Sequence, residues 1–234
     1  HVGKSELSYS EHSKYRGVDG VIVACVDFEA EEVKELLQSG IPVVTIDYIF
    51  NDKACVMSDN IRGMEQLVSY IIQCGHKKIA YIHGADSFVT RSRIGSFLRT
   101  MKRYGIETED RYIREGIYHA PDVSAKITHE LLSLEDRTTC IVYPDDFSCI
   151  GGINVIRSKG LSIPNDISVA GYDGQRIAHV IEPKITTYRQ NTEQIGKVAA
   201  AKLVELIEQP ELALVERLDV QGELIRGCSV LSMK

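Results

Sequence analysis

The chain has 234 residues, 44% of them hydrophobic and 26% charged, an ordinary balance for a water-soluble globular protein with a sizeable core. Its 27 Lys and Arg against 33 Asp and Glu give a formal charge of −6. That balance disfavours nucleic-acid binding by these residues themselves, because phosphate recognition needs a basic face. No apolar run approaches the ~20 residues of a membrane span, and the opening stretch HVGKSELSYSEHSKY lacks the basic start and apolar middle of a signal peptide.

Taken in order, strand and helix signals alternate, which predicts an α/β fold with parallel sheets. GVIVAC (Gly20–Cys25) and PVVTID (Pro42–Asp47) read as strands. Between them Val33, Leu36 and Leu37 recur at helical spacing and Gly40 is a stop. Asn60 is placed to cap a helix whose apolar face is Met64, Leu67, Val68, Ile71 and Ile72. KIAYIHG (Lys78–Gly84) is a strand; Ile94, Phe97, Leu98 and Met101 mark a helix closed by Gly105. A helix follows Asp122, and TTCIVY (Thr138–Tyr143) is a strand. Asp146 reads as the cap of the next helix, lined by Ile150, Ile153 and Ile156. ISVAGY (Ile167–Tyr172) is a strand, Thr192 is placed to cap the last long helix, and ELIRGCSV (Glu223–Val230) reads as a closing strand.

The six cysteines, Cys25, Cys55, Cys74, Cys140, Cys149 and Cys228, show no Cys-x-x-Cys spacing. Cys25 and Cys140 lie inside apolar strand-like runs, and the cysteines read as reduced, buried thiols of a cytoplasmic protein, with no metal site and no cofactor expected. No Gly-x-Ser-x-Gly elbow and no Gly-rich phosphate loop occurs, and His76, between a helix stop and a strand, reads as structural. No enzyme is expected.

Open parallel sheets bind ligands beyond the carboxyl ends of their strands. The polar residues at those exits are Asp47 and Tyr48, Asp86 and Ser87, Asp145 and Asp146, and Asp173. Each has an alternative as a helix cap or turn residue. Arg91 and Arg93 follow the strand ending at Gly84 and offer rigid forks of donors, with exposed helix charges as the alternative. Tyr118, after REGIY, offers a ring that could stack on a sugar or simply pack.

The order of the blocks resembles the lactose-repressor (LacI/GalR) family. SDNIRGMEQLVSYIIQCGHKKIAYIHG, RSRIGSFLRTMKRYGI, VYPDDFSCIGGINVIRSKGLSIPNDISVAGYDG, PKITTYRQNTEQIGKVAAAKLVELI and ELIRGCSV carry the resemblance, from Gly17 to Val230. It implies two Rossmann-like lobes of the type I periplasmic-binding-protein kind. The lobe boundaries would be 1–57 with 191–217, and 58–190 with 218–234. A ligand would sit in the cleft between them.

Arg93 matches the family arginine that binds ligand hydroxyls, and Asp173 the family Asp. Asp145 stands where Asn is usual, and Tyr118 falls near the stacking aromatic. Asp47 and Gln190 are further candidates. Ser96 and Gly174 depart from the pattern.

The implied function is an effector sensor, with a sugar as the default ligand, in a regulator that works as a homodimer and has no membrane partner. DNA would be bound through an N-terminal head not visible here. The opening stretch shows neither strand nor helical period to replace that head and the first strand–helix–strand unit, so the N-terminal lobe is expected to be incomplete. A periplasmic sugar-binding protein of a transporter shares the fold, but the cysteines and the missing export signal count against it. A sensor fused to a different output domain stays open.

Overall fold

The computed structural model of the protein describes residues 7–233. In chain order the elements begin with α1 (Tyr9–Arg16), β1 (Val21–Val23), α2 (Glu31–Gln38), β2 (Val43–Ile46) and β3 (Ala54–Ser58). They continue with α3 (Asn60–Gln73), β4 (Ile79–His83), α4 (Phe88–Arg103), β5 (Ile113–Glu115), α5 (Pro121–Leu132) and β6 (Cys140–Val142). Then come α6 (Asp146–Ser158), β7 (Ser168–Asp173), α7 (Arg176–Val180), β8 (Thr186–Arg189), α8 (Thr192–Glu208), β9 (Arg217–Val220) and β10 (Glu223–Ile225). The chain folds as two units. The first holds residues up to Ser58 with Asn191–Val220, and the second Asp59–Gln190 with the residues from Gln221 on.

The first unit carries a parallel four-stranded sheet in the order β1-β2-β3-β9. Helix α8 closes one face, where Ile195 and Ala199 meet Val44, Val56 and Val220. Helix α2 buries Val33, Leu36 and Leu37 against Val23 and Val43, the stripe its spacing predicts. The second unit has a six-stranded sheet in the order β10-β8-β7-β6-β4-β5, parallel except for β10. Its inner strands β4, β6, β7 and β8 are mostly buried on both faces, as parallel strands between helices must be, while the edge strands β5 and β10 are not. One face receives Met64, Leu67, Val68 and Ile71 of α3 with Phe97 and Met101 of α4. The other receives Ile127 and Leu131 of α5 with Ile153 and Ile156 of α6. Each such side chain contributes about 1.5–3 kcal/mol by leaving water.

Several sequence expectations need correcting. The opening stretch does contain a helix: α1 starts behind Ser8, whose side chain takes the Glu11 N–H while the Glu11 carboxylate takes the Ser8 N–H. This reciprocal box supplies the start signal that an apolar stripe would otherwise give. The first six residues of that stretch lie outside the described residues. Asp59, not Asn60, caps α3; Asn191, not Thr192, caps α8; Asp145, not Asp146, caps α6. In each case the non-helical residue before the helix, rather than the first helical one, has its side chain placed to accept an orphan amide N–H. The closing strand is only Glu223–Ile225, because the Cys228 N–H turns to the Lys184 carbonyl. Strands β3, β8 and β9 were not expected from the sequence.

The six cysteines are free. Cys55, Cys140 and Cys149 are buried as expected, and burial pushes all three thiols up. The expectation fails at Cys25 and Cys228, which are exposed, and at Cys74, which is partly so; β1 ends at Val23, and Cys25 lies beyond it with a φ of +56°. His76 is buried in the second unit. Its Nδ1 lies 2.9 Å from Thr139 Oγ1 and its Nε2 3.1 Å from the Leu231 carbonyl, so it ties the C-terminal segment to the sheet.

Candidate functional site

The carboxyl ends of β4, β6, β7 and β8 in the second unit gather most of the predicted site residues. Arg93 sits on the second turn of α4, a helix that Ser87 starts by accepting the Thr90 N–H at 3.0 Å. It is 3% exposed, which for an arginine demands partners. Its Nε donates to Asn60 Oδ1 at 2.8 Å and its Nη1 to the Pro144 carbonyl at 3.2 Å. The guanidinium lies over the face of Tyr172, 3.7 Å from the ring centroid. Its Nη2 is 3.9 Å from Asp173 Oδ1. The cation is thus fixed from three sides and opposed by one carboxylate.

Asp173 ends β7 with φ of +94°, a conformation rare for a residue with a side chain. Gln190 Nε2 donates to its Oδ1 at 2.6 Å, and the Gln190 N–H to its carbonyl at 3.2 Å. Burial raises the Asp173 carboxyl above the usual carboxylate range, and Arg93 and Gln190 oppose the rise. Such a carboxylate gains from a ligand that donates hydrogen bonds to it.

Tyr118 is half-buried beside this pair, its ring centroid 5.8 Å from the Arg93 guanidinium. Its hydroxyl bonds Thr90 Oγ1 at 2.9 Å, and its ring covers Gly84, where a Cβ would lie 2.1 Å from it. Asp145 has no exposure. Its Oδ1 accepts the Ser148 N–H at 2.7 Å, and its Oδ2 accepts the Ser148 hydroxyl at 2.9 Å and the His119 N–H at 2.8 Å. It therefore caps α6 and pins the turn that carries Tyr118.

Arg91 lies on the surface, paired with exposed Asp86 at 2.8 Å. Asp47 belongs to the first unit. It follows β2 with φ of +61°, donates its N–H to Val56 and accepts the Ser58 N–H at 3.4 Å. Among the described residues no group of three or more His, Cys, Asp or Glu could hold a metal ion.

Sequence reasoning missed three parts of the site. Asn60 and Tyr172 form the seat of Arg93, and Gly84 leaves room for Tyr118. Asn60 stands 33 residues from Arg93, so no local pattern links them. Its position one residue inside a helix start was the available signal, because a buried first-turn amide needs a partner.

Two α/β units built on largely parallel sheets, the second with a fixed cation facing a carboxylate at its strand exits, have the architecture of ligand-binding α/β domains. The family profile for the periplasmic binding protein-like domain matches residues 68–230, and the chain belongs to that family. A transcriptional repressor PurR of Vibrio vulnificus is 32% identical over 215 residues, covering 90% of this chain and 64% of the relative. A probable repressor ExuR of Bacillus subtilis is 28% identical over 201 residues, covering 85% of this chain and 60% of the relative. The chain spans less than two thirds of the length of these two relatives.

Among solved structures, a LacI family regulator of Enterococcus faecium with bound ribose matches with a TM-score of 0.84. It is 25% identical, with 99% of this chain and 86% of that one covered. A complex of the regulator CelR with cellobiose matches with a TM-score of 0.83 at 26% identity, covering 95% and 71%. The resemblance to the effector-binding part of LacI/GalR regulators, read from the sequence, holds.

Proposed function

We propose that this chain senses a small polar metabolite, in the first instance a sugar, as the effector-binding part of a LacI-type transcriptional regulator. The observation that carries this is the Arg93–Asp173 pair, a buried cation seated on Tyr172 and separated by 3.9 Å from a carboxylate. A rigid donor fork and an acceptor so placed match neighbouring hydroxyls of one ligand. Tyr118 supplies the face on which the apolar C–H groups of a sugar ring pack. Gln190 sets the Asp173 carboxylate, and Asp145 sets the Tyr118 turn. The acid-rich edge favours ligands that are neutral or cationic.

The regulatory part of this reading follows from linkage. A ligand shifts a conformational equilibrium only by its differential affinity for the two states. In the regulator that difference is passed to DNA-binding parts outside these residues, in a cytoplasmic homodimer, and the chain is not an enzyme. Ligands that fit raise the melting temperature by mass action. A thermal-shift panel of D-ribose, cellobiose, other sugars and nucleosides tests the proposal. Stabilisation by at least one sugar, lost in Arg93→Lys, is expected. A panel with no stabilising sugar overturns the sugar reading.

A further inference from the structure

Asp146, next to the capping Asp145, has a different task. It sits in the first turn of α6 with no exposure. Its Oδ2 accepts the Gln175 N–H at 2.7 Å, and its Oδ1 makes no hydrogen bond. That oxygen presses on β7, where a Cβ on Gly171 would lie 2.1 Å away. The Thr187 hydroxyl of β8 flanks the same carboxyl and accepts the Gly174 N–H at 3.2 Å. Asp146 and Thr187 therefore grip the two amides that follow Asp173. This is the turn in which Asp173 and Gly174 both have positive φ, +94° and +69°. A non-glycine residue held there needs surroundings that over-determine it.

We propose that Asp146 is a positioning residue that clamps the Asp173–Gln175 turn, and that gain or loss of a proton at Asp146 changes how Asp173 is presented. The charged groups that face it are Asp173 from β7 and Asp145 from its own helix, with Thr187 and Gln175 as polar neighbours and the Cys149 thiol on α6. Arg93 and His119 act on Asp173. Burial, assisted by Asp173 and Asp145 and opposed by Thr187 and Gln175, pushes the Asp146 carboxyl up to about 7. The proton thus exchanges near neutrality, where its loss adds a second charge beside Asp173. The consequence for effector binding rests on the sensing reading above; the response of the turn itself does not.

The experiment follows the amide resonances of Gly174 and Gln175 in the ligand-free protein by ¹⁵N NMR, from about pH 5 to pH 9. In the wild type both shift together with a midpoint near about 7. In Asp146→Asn they are flat, and in Thr187→Val the midpoint moves up, because the hydroxyl that opposes the rise is gone. Silent amides in the wild type, or a titration that persists in Asp146→Asn, overturns the proposal. Should Asp146→Asn fail to fold, an unmoved midpoint in Thr187→Val overturns it equally. A parallel titration with D-ribose separates the two readings. A titrating turn without ribose binding supports Asp146 and counts against ribose as the effector. Ribose binding with a silent turn overturns Asp146 and leaves the sensing function standing.

Discussion

The Arg93 guanidinium lies over the Tyr172 ring, 3.7 Å from its centroid. Tyr172 and Asp173 are successive strand residues, so the strand that presents the carboxylate also builds the seat of its opposing cation. A planar, delocalised cation suits that seat and an ammonium does not. Arg93→Lys keeps the charge but loses the stack and the separate bonds to Asn60 and Pro144. The expected outcome is a loss of effector affinity of roughly 1.5–3 kcal/mol, the range for hydrogen bonds to charged groups. Calorimetry with a stabilising ligand checks it, and unchanged affinity would remove Arg93 from the site.

Asp173→Ala takes away the acceptor. Ligand affinity falls by roughly 2–4 kcal/mol, since one partner of a desolvated charged contact is gone. The fold survives by circular dichroism, because the neighbouring bonds of Gly174 and Gln175 remain. A variant that binds as the wild type does would show that the carboxylate faces no ligand.

Gly84→Ala probes Tyr118 without touching it. The new methyl would lie 2.1 Å from the Tyr118 ring, closer than any contact allows. The ring has to swing, breaking its 2.9 Å bond to Thr90. Ligand binding is expected to drop about as much as in Tyr118→Ala, and the double variant to add little more, since both changes act on one side chain. Additive losses would separate Gly84 from Tyr118.

His76 predicts an acid-sensitive C-terminal segment. Burial lowers its affinity for a proton, partly opposed by the Leu231 carbonyl. The unfolded chain therefore takes the proton first. The stability contributed is complete above the ordinary value of 6.5 and is lost as pH falls below it, through the lower folded-state value. The amides of Leu231 and Met233 donate to Ser168 Oγ at 2.9 Å and to the Cys74 carbonyl at 2.7 Å. Their hydrogen exchange should accelerate in that acid range, after correction for intrinsic rates. In His76→Gln the extra pH dependence should vanish; its persistence would assign the effect elsewhere.

Much of the fold was legible because burial imposes periodicity. Helices α3, α4, α6 and α8 each carry an apolar stripe, and β4, β6 and β7 are short apolar runs closed by polar exits. Strand β3, ACVMS, is buried at every residue and shows no alternation. Strands β8 and β9, TTYR and RLDV, are too short and polar to stand out. They become strands by pairing: Thr187 lies opposite Gly171, and Leu218 opposite Val56. The site divides the same way. Arg93 and Asp173 stood out as charges at strand exits, within a family pattern. The seat made by Asn60 and Tyr172, and the clamp made by Asp146 and Thr187, depend on contacts between residues far apart in sequence.

The distribution of thiols also has a practical use. Cys25 is exposed in the first unit and Cys228 in the second, whereas Cys55, Cys140 and Cys149 are sealed in cores that keep them protonated. Alkylation follows thiolate access, so maleimide dyes should mark the two exposed positions first. The unmutated chain then carries a fluorescence-transfer ruler, with one end on each unit, that reads directly whether an effector alters their separation.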